Sequence, residues 1–506
     1  MLKEDDVKSV IIIGGGTAGW MSAAAMASIL IPTGLKVTLI ESEAIGTVGV
    51  GEATLPGIRY FNQKIGLDEA EVVRRSAATF KLGIEFNDWG KIGDSYIHPF
   101  GSFGPVHRLN SSSIPFHHYL SRAAGEGHDI HLDNYSLPVM ASRSGKFQRP
   151  SENPKDVLST FGYAYQFDAS LYAQMLREFC EARGVTRIEG RVTDVSLRAK
   201  DGFIEHVTLE NGDSLGADLF IDCSGFYGLL ISKTLKQPYK DWTHYLPCNR
   251  AVTTRCDHVG QLKPFTTATA KSSGWQWRIP LQSRTGNGYV YSSDFISDDE
   301  ATSELLSTLE APAHSDPKTL RFTTGQRTKT WYKNCVAIGL SGGFLEPLES
   351  TGIFLIQEAI THLVDRFPSK HCEQVEQDAY NHYMDLNFER VRDFLLLHYV
   401  ATERDDSPFW IHMSTMQLPD SLVEKMDLWR SSGRIISYET GAFKDPSWLA
   451  VYYGQNIFPK RYSPMAKSMP ETTLKQVLSG VKHEIDMAVD TMTDHKTYID
   501  EFCRIV

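Results

Sequence analysis

The sequence predicts an α/β protein: a nucleotide-binding module merged with a β-sheet, followed by a mostly helical C-terminal module. Three observations carry that reading. An apolar run, Val10 to Ile13, enters a glycine turn and then an Ala/Met-rich segment from Met21 to Leu30. Strand-like runs recur between residues 186 and 295. From Glu373 onward the apolar spacing is mostly that of helices.

The first run is four apolar, mostly β-branched residues, too hydrophobic for a strand with a solvent face. Gly14, Gly16 and Gly19 follow as Gly-x-Gly-x-x-Gly between that strand and a helix, the context in which the spacing has meaning. Gly14 permits the turn, Gly16 lets backbone approach a pyrophosphate, and Gly19 lets helix and strand pack closely. Phosphates then meet the free N–H groups at the helix start, at Thr17 and Ala18. A second strand, Leu35 to Ile40, ends at Glu41, placed to take ribose hydroxyls. A dinucleotide is expected here.

The remaining elements follow in order. Residues 45–57, rich in glycine and interleaved with apolar side chains, form a loop suited to lie flat on a planar ring. Leu67 to Gly83 is expected to be helical and contains Lys81. Tyr96 to Gly104 is aromatic and turn-rich, a pocket wall, and 101–115 is the expected mobile loop. A helix capped by Asp168 runs to about Arg183. Three hairpin-like strands then cover Thr186 to Leu197, Phe203 to Leu209 and Leu219 to Asp222. Sheet is expected over 245–295, around Gly274 to Leu281, and Cys335 to Phe344 reads as a buried strand entering a glycine turn. A helix from about Ile353 to Phe367 completes a first module of residues 1–370; residues 371–506 form the helical module, packed with it as one unit.

Composition narrows the function. A net charge of −11 without a clustered basic face excludes nucleic acid as partner. Seven scattered cysteines without Cys-x-x-Cys suit a reducing compartment and argue against disulfides or a metal site. Neither a signal peptide nor a membrane span is expected, so the protein is read as cytoplasmic.

Lys81, the pair Trp275 and Trp277, and the run Glu349-Ser350-Thr351-Gly352 are each unremarkable alone. A lysine in a helix is usually a surface charge, Ser350 suits a helix cap, and two alternating indoles on one strand face are usually core. Together they resemble the flavin-dependent tryptophan halogenases. That family shares the glycine fingerprint, a Trp-x-Trp-x-Ile-Pro block matched by Trp275, Trp277, Ile279 and Pro280, and a Phe-Lys-Leu matched by Phe80, Lys81 and Leu82. It also shares Glu-Pro-Leu-Glu-Ser-Thr-Gly-Ile, matched by Glu346 to Ile353. The match runs from about residue 8 to 370 and weakens beyond.

The resemblance implies a fold like that of FAD-dependent monooxygenases. It also implies reduced FAD from a separate NAD(P)H-dependent flavin reductase, O2, and chloride or bromide oxidised to hypohalous acid. Besides the glycine turn and Glu41, it places flavin contacts at Ser42, Ile45, Ala53, Val192, Leu340 and Ile353. The halide site falls on Thr351 and Gly352, and the oxidant's path on Trp275, Trp277 and Ser350. Lys81 would hold the oxidant and Glu349 would polarise it or take the ring proton. His98, Phe100 and Trp448 would contact a small aromatic substrate. Members specific for free tryptophan also clamp its polar end with two Tyr, a Glu and an Asn. Tyr438, Glu439, Tyr452, Tyr453 and Asn456 do not register cleanly with that clamp, which favours indole or another electron-rich arene, with tryptophan kept as a possible substrate. A flavin-dependent aromatic hydroxylase and a non-catalytic FAD-binding protein stand as alternatives, and a homodimer is left open.

Overall fold

A computed structural model describes residues 4–44, 51–105, 107–109, 112–436 and 438–505. Strand Ser9–Ile13 lies inside a six-stranded sheet, with Lys36–Glu41 and Leu219–Asp222 parallel on either side. A parallel sheet is covered on both faces, which is why Val10, Ile12 and Leu39 are buried. Thr186–Glu189 forms one edge, and Cys335–Ala337 with antiparallel Trp331–Tyr332 the other. The three expected hairpin-like strands are therefore divided. Only Val192–Leu197 and Ile204–Leu209 pair as a hairpin, whereas Thr186–Glu189 and Leu219–Asp222 join the parallel sheet. Alternation reports which face is buried, not which strand is the neighbour.

The glycine turn is as close-packed as its spacing predicts. Gly14 has φ +109°, and a Cβ there would lie 2.3 Å from the Cys223 carbonyl oxygen. A Cβ on Gly19 would lie 1.8 Å from the Gly14 carbonyl oxygen. The helix Thr17–Ile29 then starts without a side-chain cap, leaving its first N–H groups available.

A seven-stranded sheet runs in the order Lys318–Arg321, Arg250–Cys256, Thr285–Tyr291, Gly274–Pro280, Phe265–Lys271, Gly83–Asn87, Ser95–Pro99. A three-stranded sheet joins Gly51–Ala53, Ala164–Asp168 and Thr79–Lys81. The segment 67–83 thus departs from the expected helix. Helix covers only Glu69–Arg75, capped by Asp68, and the chain breaks at Ala77 with φ +52°. Phe80 then stacks on Phe147 at 4.1 Å, so tertiary packing overrides local propensity and Lys81 sits on a strand.

The C-terminal region is helical, led by Gln374–Val400, Asp420–Ser432, Asp445–Gly454 and Glu471–Thr491. It returns to the N-terminal half of the chain. Thr493–Asp494 pairs with Lys146–Phe147, and the Phe80 N–H donates to His495 Nε2 at 3.2 Å. His495 Nδ1 donates to the Leu262 carbonyl at 2.8 Å, and burial, the largest effect, pushes this imidazole down to about 4. A neutral ring accepting on one side and donating on the other thus braces the strand of Lys81. The seven cysteines are buried and unpaired, and no helix among the described residues is long and apolar enough to cross a membrane.

Candidate active site

The glycine turn opens into a cavity of about 1330 Å³. Gly14, Gly16, Thr17, Ala18, Glu41, Ser42, Ala53, Val192, Leu340 and Ile353 line it. Gly19 sits behind the lining against Gly14, and Ile45 falls outside the described residues, as do parts of the glycine loop 45–57 and of 101–115. Glu41 is already engaged: Arg187 Nε donates to one oxygen at 2.6 Å and the Trp20 indole to the other at 3.3 Å. Arg177 and Arg191, not singled out from the sequence, also face this space. Free helix N–H groups, a glycine cradle and nearby guanidiniums fit the phosphates of a dinucleotide.

The two indoles lie at the inner wall of the same cavity. Trp275 and Trp277 share one face of their strand, with ring centroids 6.0 Å apart. Trp277 pairs across the hairpin with Gly288, where a Cβ would sit 2.1 Å from the indole. Glycine there lets the ring lie down on the neighbouring strand. Ser350 and Gly352 line the cavity beside them.

Lys81 approaches Ser350 from the other side. Its strand ends where the chain crosses from the three-stranded to the seven-stranded sheet, and its side chain is 0% exposed. Lys81 Nζ donates to Ser350 Oγ at 2.8 Å and to the Thr54 carbonyl at 3.2 Å. The Phe100 ring centroid is 5.1 Å away. Burial pushes the amine down to about 7, with the Glu349 charge pulling it part of the way back.

Glu349 closes the 3-10 turn Pro347–Glu349 and is also 0% exposed. His98 Nδ1 lies 2.8 Å from one carboxylate oxygen and His398 Nε2 lies 2.8 Å from the other. Burial acts to raise this carboxyl, but the two imidazoles outweigh it and hold the group well below the usual carboxylate range. Ser350, next in the chain, has φ +59°, a left-handed conformation rare outside glycine and asparagine. It heads the helix Thr351–Asp365 without capping it, since its hydroxyl accepts from Lys81 instead. Thr351 Oγ1 is buried with no partner, so this helix start offers unused donors to a small anion.

His98 sits on Ser95–Pro99 opposite Ile84, and Phe100 follows it with ring centroids 6.4 Å apart. Trp448 is buried on Asp445–Gly454, but protein fills the space between it and His98. Phe394 stands 5.6 Å from His98 and 5.2 Å from Trp448, and Phe443 stacks on Phe394 at 3.9 Å. Three of the residues weighed as an amino-acid clamp have other partners. Tyr452 stacks on Trp429, Tyr453 meets Ser121, and Asn456 donates to Asp94. Sequence reasoning missed Thr54, His398, Phe394 and Phe443. Only His398 left a signal, a polar residue ending the apolar run Phe394 to Leu397.

Comparison with known proteins identifies the family. The tryptophan halogenase family model matches residues 9–471. The tryptophan 7-halogenase RebH of Lentzea aerocolonigenes is 34% identical, over 98% of this chain and 98% of its own. The tryptophan 6-halogenase SttH of Streptomyces toxytricini is 34% identical, over 97% of each. Among solved structures, Xcc4156, a flavin-dependent halogenase from Xanthomonas campestris, superposes with a TM-score of 0.95 at 41% identity and covers 99% of both chains.

Proposed function

The chain belongs to the tryptophan halogenase family, and on that premise we propose a flavin-dependent halogenase acting on a small electron-rich arene such as indole, with Lys81 and Glu349 as its catalytic pair. One observation carries this reading. Both charged side chains are 0% exposed, and Lys81 is joined through Ser350 to the wall of the glycine-turn cavity.

Reduced FAD, delivered by a separate flavin reductase, would supply with O2 the oxidising equivalent that turns chloride or bromide into hypohalous acid. The chain's own part is to hold and direct the reactants. The N–H groups of Thr351 and Gly352, with the unpartnered Thr351 hydroxyl, hold the halide. Trp275 and Trp277 keep the arene out of the cavity, so hypohalous acid travels past Ser350 to Lys81.

Lys81 spends two N–H donors on Ser350 and Thr54, leaving the third for the oxidant. With its pKa near 7, the group either donates from the ammonium or takes the halogen as an amine. The ring carbon forms its bond to halogen as the halogen–oxygen bond breaks, and the leaving hydroxide takes a proton from the Lys81 ammonium and departs as water. The ring C–H then breaks, its electron pair restores aromaticity, and its proton goes to Glu349, which His98 and His398 keep ionised. The dispersed positions of Tyr452, Tyr453 and Asn456 favour an arene without an amino-acid end.

The test is the purified chain with FAD, a flavin reductase, NADH, bromide and indole, read by mass spectrometry. Brominated indole supports the proposal. A gain of one oxygen points to a hydroxylase, and bound flavin with neither product to a non-catalytic flavoprotein.

A further inference from the structure

A second buried acid stands beside the proposed catalytic pair with no part in the chemistry above. Glu346 precedes the 3-10 turn that ends in Glu349, and three residues per turn bring both carboxylates to one edge. Both are 0% exposed. The helix Gln374–Val400 reaches them with adjacent residues. His398 Nε2 lies 2.8 Å from Glu349, and the Tyr399 hydroxyl donates to Glu346 Oε1 at 2.5 Å.

Tyr399 is itself fixed. Its hydroxyl lies 3.8 Å from Cys248 Sγ, and its ring meets Trp89 edge-on at 5.2 Å. The second oxygen of Glu346 and the Trp275 indole N–H are both buried without a hydrogen-bond partner, an acceptor and a donor left over on neighbouring groups. Burial, the dominant effect, pushes Glu346 up to about 7, with Tyr399, Trp275 and Cys248 pulling the other way. An acid about half protonated near pH 7 can hold an indole in place while adding less charge to the oxidant's path than an ordinary carboxylate.

We infer that Glu346, clamped by Tyr399, is a positioning residue that anchors Trp275 in the wall between the cavity and Lys81 and sets Glu349 opposite Lys81. This rests on the halogenase reading above. The wall matters because oxidant that is not directed to Lys81 escapes into water.

Three variants test it: Glu346→Ala, Glu346→Gln and Tyr399→Phe. Product per NADH is measured together with hypohalous acid caught by a soluble phenolic trap. Near-ultraviolet circular dichroism of the indoles is recorded on protein without cofactor. Glu346→Ala should lower product per NADH by about five-fold while the trap becomes halogenated and FAD affinity holds. Glu346→Gln, which keeps shape and neutral hydrogen bonding, should restore coupling to within about two-fold. Should Glu346→Ala fail to fold, Tyr399→Phe, which keeps the ring packing, carries the same expectation.

Unchanged coupling in both Glu346→Ala and Tyr399→Phe overturns the inference. So does a glutamine variant as impaired as the alanine one, which would make Glu346 an acid–base group. Wild-type protein giving neither product nor trapped acid would instead sink the halogenase reading. In that case the indole spectra still decide: altered in Glu346→Ala and restored in Glu346→Gln if the anchor is real, identical in all three if it is not.

Discussion

Lys81 Nζ donates to Ser350 Oγ at 2.8 Å, so the hydroxyl heading the helix Thr351–Asp365 serves a lysine and not the helix. That one contact ties the amine to the cavity wall. It also leaves the helix's first N–H groups unused, and Ser350 keeps a left-handed backbone to make it.

Removing the hydroxyl tests its role. Ser350→Ala should lower kcat by about ten-fold with little change in KM for the arene, because the lost contact orients Lys81 and not the substrate. Steady-state halogenation rates check this. A change confined to KM would place Ser350 in arene binding instead.

Lys81→Ala should abolish halogenation and leave the FAD dissociation constant unchanged, since Lys81 stands apart from the residues lining the cavity. Its pKa also makes a stability prediction. The folded value, about 7, lies below the ordinary 10.5, so the unfolded chain binds more protons between those limits and stability rises with pH across them. Below pH 7 the cost of burying the ammonium is fully present. Lys81→Met should therefore melt above the wild type at pH 6, with the gap narrowing toward pH 10, as calorimetry across that range would reveal.

Much of this site was legible in the sequence because its signals are local. The Gly14–Gly19 spacing encodes a turn whose Cβ clashes are severe at 2.3 and 1.8 Å, and the Trp275/Trp277 alternation encodes a shared face. What the sequence hides depends on distant partners. Val72, Val73 and Phe80 fit a helical stripe, yet packing of Phe80 against Phe147 makes a strand of Thr79–Lys81. His398 looks like a satisfied core histidine until the fold brings it to Glu349. Phe394 and Phe443 stack across two helical-module segments whose meeting no local pattern reports.

Glu349 gives stability a pH dependence that a surface acid with an unshifted pKa does not. Its folded pKa is depressed, so its stabilising contribution is present above about pH 4.5 and is lost as pH falls through the lower folded value. Glu349→Gln should lose halogenation and, at pH 7, about 2 kcal/mol of stability, as the two imidazoles lose a buried carboxylate partner. The difference between mutant and wild type should shrink on acidification. Equal denaturation midpoints at pH 7 would mean that the His98 and His398 contacts contribute nothing net.

The glycine cradle offers a test independent of halogen chemistry. Gly19→Ala puts a methyl group 1.8 Å from the Gly14 carbonyl oxygen, which the parallel sheet cannot move far to avoid. FAD affinity should fall by about a hundred-fold or more, with the melting temperature lowered as well. Fluorescence titration of the flavin measures the first, thermal denaturation the second.

Phe443 should set the size of the arene. Its ring stacks on Phe394 at 3.9 Å and lies 6.1 Å from the His98 ring, filling space that would otherwise open between His98 and Trp448. Removing it leaves a void beside rings that Phe394 and Trp448 hold edge-on at 5.2 Å, so the gap should persist and not collapse. Phe443→Ala should raise kcat/KM for arenes larger than indole and lower it for indole itself, which loses a packing wall. The shift in their ratio should be about ten-fold, the discrimination a pocket gains from one well-packed group. Competition between indole and a bulkier arene in one reaction reads that ratio directly. If both fall in proportion, Phe443 supports the fold of the helical module without gating what enters.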